Sequence, residues 1–109
     1  MDEIFKKGTL LNLAEMVDYE PEGVVSKQIL KNEAGNITLF SFDARQGLSE
    51  HTSPFHAVLE GLEGEAEIYI GEEKLILLSP QWIIMPAHVP HAIKAVTPFK
   101  MLLTMIHGV

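Results

Sequence analysis

The sequence predicts a single all-β domain, a sandwich or barrel of about eight or nine short strands. Three observations carry that prediction. From Val24 onward the apolar residues fall on alternate positions, the period of a strand with one face buried. Turn-forming or irregular stretches recur at short intervals along the chain, at 32–36, 43–54, 61–64, 71–73, 79–81, 86–90 and 97–98. The chain has 109 residues, 47% of them hydrophobic, enough for one core and too few for two.

The elements follow in order. Residues 1–23 form an N-terminal arm and edge segment, short and irregular, with 1–8 a loose arm. Asn12 and Glu15 have the spacing of a capping box, so one short helical turn is expected before Pro21-Glu22-Gly23 stops it. The barrel spans 24–106. Residues 24–30 read as a strand, 32–36 as its turn and 37–42 as the return strand, with Ile37, Leu39 and Ser41 on one face and Thr38, Phe40 and Phe42 on the other. Residues 43–54 are the longest irregular stretch, and long loops in small domains are often functional. Strands at 55–59, 65–70, 74–78, 82–85, 91–96 and 99–106 complete the count.

Composition removes several function classes. The formal charge is −7 and no basic run offsets it, so no nucleic-acid partner is expected. Cysteine is absent, which excludes disulfides, thiolate metal sites and a cysteine nucleophile; any metal must use histidine, carboxylate or water. Glu60, Glu63, Glu65, Glu67, Glu72 and Glu73 read as a solvated sheet face and its turns, because no calcium-loop spacing is present. No apolar run approaches bilayer length and no signal-peptide core is seen, so the expectation is a cytoplasmic protein without a membrane partner.

Two stretches hold most of the histidines. His51 and His56 lie in 47–64, and His88 and His91 lie in 86–91; the expectation is that these stretches meet at one end of the barrel and form its pocket. Ser53, Phe55, Trp82, Met85 and Met101 lie on or beside strands that would line that pocket. His88 falls on a turn tip and His107 lies near the C-terminus, and neither is placed in the site. Ser53 beside His51 lacks any sign of a nucleophile elbow or oxyanion hole. Gly61 and Gly64 are strand-end turns, since neither a helix nor a lysine follows them.

The segment VLEGLEGEAEIYIGEEKLILLSPQWIIMPAHVPHAI, residues 58–93, resembles the single-domain cupins, small double-stranded β-helix or jelly-roll barrels. The likeness extends over roughly 24–106 and implies that fold. Set against the family's first metal motif from Gly64, His51 matches, while Ser53 and Ala57 stand where a histidine and a glutamate are expected. In the second motif Pro86 and His91 match, while Pro80, His88 and Ala95 replace two glycines and an asparagine. Two of four metal ligands are therefore kept. The resemblance implies a divalent transition metal (zinc, nickel, iron or manganese) on His51 and His91, with His56 as third ligand if a bulge after Pro54 turns it inward. Strand alternation puts Glu60 on the side of His56 and makes it a poorer candidate. The resemblance also implies a homodimer. Two functions stay open: a site that binds metal, a small polar metabolite such as a sugar or a keto or hydroxy acid, or both; and a metal-free ligand-binding or structural barrel without catalysis.

Overall fold

The computed structural model describes residues 4–107. Nine strands form two antiparallel sheets: β1 (Val24–Asn32), β2 (Gly35–Phe42), β3 (Gly47–His51), β4 (Phe55–Glu63), β5 (Glu65–Ile70), β6 (Glu73–Leu78), β7 (Trp82–Met85), β8 (His91–Ala95) and β9 (Phe99–His107). The five-stranded sheet runs β1-β2-β9-β4-β7, and the four-stranded sheet runs β3-β8-β5-β6. Crossing between sheets at nearly every connection makes this a jelly roll. The helical turn expected from Asn12 and Glu15 appears as a 3-10 turn, Leu13–Glu15, but the Asn12 side chain makes no capping hydrogen bond. A strand, β3, lies within the stretch read as irregular from 43 to 54. With Ser and Glu in a five-residue run, its alternation is too short and too polar to register as a strand.

Inward-facing residues of the two sheets meet in one core. Phe42, Phe99, Met101, Leu59, Ala57 and Met85 come from the larger sheet, and Ile93, Ala95, Ala66, Ile68 and Leu77 from the smaller. Each sits at every second position of its strand, the pleat that the sequence period anticipates. The corner between β4 and β5 needs a glycine. Gly64 has φ +87, and a Cβ there would lie 2.1 Å from the Pro98 carbonyl oxygen.

A second, smaller core lies outside the barrel. The N-terminal arm crosses the outer face of the five-stranded sheet and buries Phe5 and Val17 against Leu39, with Leu13, Met16, Val25, Ile29 and Leu62 around them. Polar groups of the sheet fasten the arm. Lys100 Nζ donates to the Ala14 carbonyl (2.6 Å), Lys27 Nζ to Met16 (2.9 Å) and Ser41 Oγ to Asp18 (2.7 Å). The Tyr19 hydroxyl donates to Glu63, and Lys100 Nζ lies 4.9 Å from the centre of the Tyr19 ring. Burial, and then the Glu63 carboxylate, push the Tyr19 phenol far above its ordinary range. Among the described residues, no helix is long and apolar enough to cross a membrane.

Candidate functional site

At one end of the barrel the two histidine-bearing stretches meet. His51 and His91 are cross-strand partners on β3 and β8, with ring centroids 4.5 Å apart in an edge-to-face arrangement. A β-bulge creates this pair. Leu48 pairs with Ile93, and three residues later His51 pairs with His91, two residues along β8. Strict alternation would turn His51 to the face opposite Leu48; the extra residue brings it back. Gly47 lets β3 approach β8 closely enough for this, since a Cβ there would meet the Ile93 carbonyl oxygen at 1.9 Å.

The two rings have different environments. His51 is exposed, and its Nδ1 lies 2.9 Å from the Ser49 carbonyl oxygen. A carbonyl only accepts, so Nδ1 carries the proton and Nε2 is left directed away from the backbone. His91 is only 3% exposed, and its Nδ1 is buried with no hydrogen-bond partner. Burial, then the neighbouring His51, hold His91 below the ordinary histidine pKa, with the Val89 backbone a smaller opposing influence. A buried imidazole nitrogen without a partner destabilises the fold by roughly 1–3 kcal/mol unless a ligand or water satisfies it.

The other site candidates fall as follows. His56 is not brought to the pair. The β4–β9 ladder is regular from Phe55 to Gly61, so no bulge turns His56 inward, and it stays on the face opposite the buried Ala57. Its Nδ1 accepts from the Ala87 N–H at 3.1 Å. The bulge that re-aims a histidine is in β3 and acts on His51. Ser53 is buried and structural in its contacts: its Oγ accepts from Phe55 N–H (3.0 Å) and its carbonyl from His88 N–H (2.8 Å). Phe55 is half-buried and packs at a tilt of 35° against the His107 ring, centroids 4.5 Å apart. Met85 and Met101 are fully enclosed in the barrel core. Trp82 needs correction. It is 62% exposed on the outer face of β7, because an odd spacing of three residues puts it on the side opposite Met85. His88 sits exposed on its turn with φ 67.

Among the described residues, no three histidine, cysteine, aspartate or glutamate side chains converge on a point that could hold a metal ion. Ser53 and Ala57 offer no imidazole or carboxylate where the family's motif would, and His56 points elsewhere. Two imidazoles do not make the three-ligand protein set that a mononuclear site ordinarily needs, so the residues present do not fit a protein-held metal centre. One signal for the β3 bulge was present in the sequence: Gly47 stands an even number of residues from His51 in a segment that must also bury Leu48.

A two-sheet jelly roll with paired histidines at one mouth defines a cupin-type barrel. Comparison with solved structures agrees. A conserved protein of unknown function from Streptococcus pyogenes superposes with TM-score 0.90 at 35% identity, over 95% of this chain and 91% of that one. A cupin superfamily protein from Desulfitobacterium hafniense gives TM-score 0.88 at 28% identity over 94% of each chain. A cupin 2 conserved barrel domain protein from Leptotrichia buccalis gives 0.85 at 32% identity, covering 88% of this chain and 47% of that one. The chain belongs to the cupin superfamily. No protein-family model and no curated protein sequence matches it.

Proposed function

We propose that the protein binds a small polar metabolite at the barrel mouth through His51 and His91, without a metal centre of its own. The observation that carries this reading is the partnerless, buried Nδ1 of His91, set 4.5 Å ring to ring from a histidine whose tautomer is fixed by the backbone. A core histidine retained only for packing would be expected to have its nitrogens satisfied. A polar atom left without a partner beside a second imidazole is instead what a binding site offers. His51 presents Nε2 as an acceptor when neutral and as a donor when protonated. A sugar, hydroxy acid or keto acid carries hydroxyl and carbonyl or carboxyl groups close enough together to engage both rings.

The test is a thermal-shift and calorimetric screen of sugars, keto acids and hydroxy acids on wild type, His51→Ala and His91→Ala, with zinc, nickel, iron and manganese as separate additions. Saturable binding that is lost in both variants supports the reading. No binder, or binding that is equal in all three proteins, overturns it. One metal ion per chain, held by wild type and lost in both variants, would replace it with a metal site that draws its remaining ligands from the metabolite.

A further inference from the structure

The outer face of the four-stranded sheet gathers positive charge. The chain holds 8 lysines and arginines against 15 acidic residues, yet Arg45, Lys74 and Lys94 share this face. Gly47 of β3 pairs with Lys94 of β8, and Lys94 with Glu67 of β5. One row on, Ala92 pairs with Tyr69, and Tyr69 with Lys74 of β6. Between these rows lies a shallow recess of about 300 Å³. The exposed Arg45, Ser49 and Lys94 border it, together with the half-buried Tyr69 and Ala92, and none of its bordering residues is acidic. Two observations set Arg45 and Lys94 apart from ordinary surface cations. The first is their pairing. Glu67 is held by Lys74 at 2.5 Å and accepts from the Tyr69 hydroxyl at 3.3 Å. Among the described residues, neither Arg45 nor Lys94 has a carboxylate within ion-pair distance. Two like charges thus border one recess, and an anion there would relieve their repulsion. The second is the backbone of Arg45. Its φ is 72, a left-handed conformation that glycine adopts freely and a Cβ disfavours. Strand pairing imposes it: Arg45 N–H donates to the Ala95 carbonyl (2.9 Å), and Ala95 N–H donates to the Gln46 carbonyl (2.8 Å). Residues strained in this way cluster at binding sites.

We propose that this recess binds a small phosphate monoester. The Arg45 guanidinium is a planar fork of N–H donors that fits two phosphate oxygens, and Lys94 brings an ammonium to a third. Two cations match the charge of about −2 that a monoester carries above neutral pH, whereas a carboxylate needs only one. The Ser49 hydroxyl adds a further donor. The Tyr69 ring and the Ala92 methyl give the carbon skeleton of the ester an apolar surface. The volume lies at the low end for small-molecule sites, so the skeleton is short. This site is separate from the metabolite site proposed above. His91 shares the inner face of β8 with Ile93 and Ala95, while Ala92 and Lys94 are on the outer face.

Calorimetry and ¹H–¹⁵N spectra at about pH 8, above the ordinary histidine range, test this with phenyl phosphate, inorganic phosphate and benzoate as probes. Phenyl phosphate should bind wild type with a Kd of about 1 mM in low salt, and more weakly as salt is added. The amide signals of Arg45, Ser49, Tyr69 and Lys94 should move, while those of Ala87, His88 and Val89 at the mouth stay in place. Arg45→Gly should weaken binding at least ~10-fold without lowering Tm, because glycine takes the same φ freely. Lys94→Ala should weaken it by a similar factor. Lys31→Met removes the same charge at the end of β1, and His91→Leu alters only the mouth; both should bind phenyl phosphate as wild type does. Inorganic phosphate and benzoate should each bind at least ~5-fold more weakly than phenyl phosphate. Absence of saturation by about 10 mM phenyl phosphate overturns the proposal. Equal losses in Arg45→Gly and Lys31→Met do the same, since they reduce the effect to net charge. Equal affinity for inorganic phosphate or for benzoate overturns the assignment to a monoester. Should Arg45→Gly lower the Tm, Lys94→Ala and the amide shifts decide alone.

Discussion

Replacing His91 with leucine should stabilise the protein while abolishing ligand binding. The imidazole is 3% exposed, and its Nδ1 is buried without a partner. Leaving such an atom unsatisfied costs about 1–3 kcal/mol, whereas an apolar group of similar bulk removes the penalty. Against this stands the imperfect fit of a leucine in a space shaped by an imidazole, about 1 kcal/mol. The net expectation is a gain of about 1 kcal/mol, or roughly 4–8 °C in Tm for a domain of this size. The pH dependence gives a second reading of the same residue. Burial, with His51 beside it, depresses the folded-state pKa of His91. Above the unfolded value of about 6.5, both states are neutral and stability is complete. As pH falls through that value, the unfolded chain takes a proton that the folded one refuses. Stability then drops by at most about 1.4 kcal/mol per pH unit until the folded-state pKa is reached. His91→Leu should lose this slope. Urea denaturation followed by circular dichroism at pH 5 to 8, at one fixed protein concentration, measures both effects. A loss of more than about 1 kcal/mol at pH 8 would refute the reasoning and make His91 a packing residue.

Three further outcomes follow from the same geometry. Lys100→Met removes the charged anchor to Ala14 and should cost about 1.5–3 kcal/mol, with hydrogen exchange accelerating across residues 14–19 while the barrel core keeps its protection. Gly47→Ala drives a methyl into the Ile93 carbonyl, so it should destabilise by about 2 kcal/mol or more and weaken ligand binding by separating His51 from His91. His56→Ala leaves both rings of the pair untouched and should bind ligand with wild-type affinity in calorimetry; its only site-facing change is the lost acceptor for Ala87 N–H.

Most of the fold was legible because the barrel strands obey a two-residue period. Ala66 and Ile68 on β5, and Leu59 and Ala57 on β4, take the inner face as that period requires. Where reading failed, the period was broken or ignored. Trp82 and Met85 lie on the same short strand, but three residues separate them, which puts them on opposite faces and Trp82 in solvent. β3 was hidden because a polar five-residue strand leaves little hydrophobic trace. The pairing of His51 with His91 depends on a bulge, and a bulge is a local exception set by partner strands far away in sequence. His56 shows the reverse case: plain alternation put it outside, and its ladder is regular. The arm's packing over Leu39 was also hidden, because Leu39 lies on the outer face, which alternation alone assigns to solvent.

The central claim is that His91, with its unsatisfied Nδ1, and its partner His51 together form the binding position at the barrel mouth. Long-range ¹H–¹⁵N spectra of protein labelled at its five histidines test this directly, with and without the tightest small-molecule binder from the screen. The account predicts that the ring nitrogens of His91 and His51 shift together on ligand addition, while those of His56, His88 and His107 stay in place. Ring signals of His91 that remain unmoved at saturating ligand would contradict it.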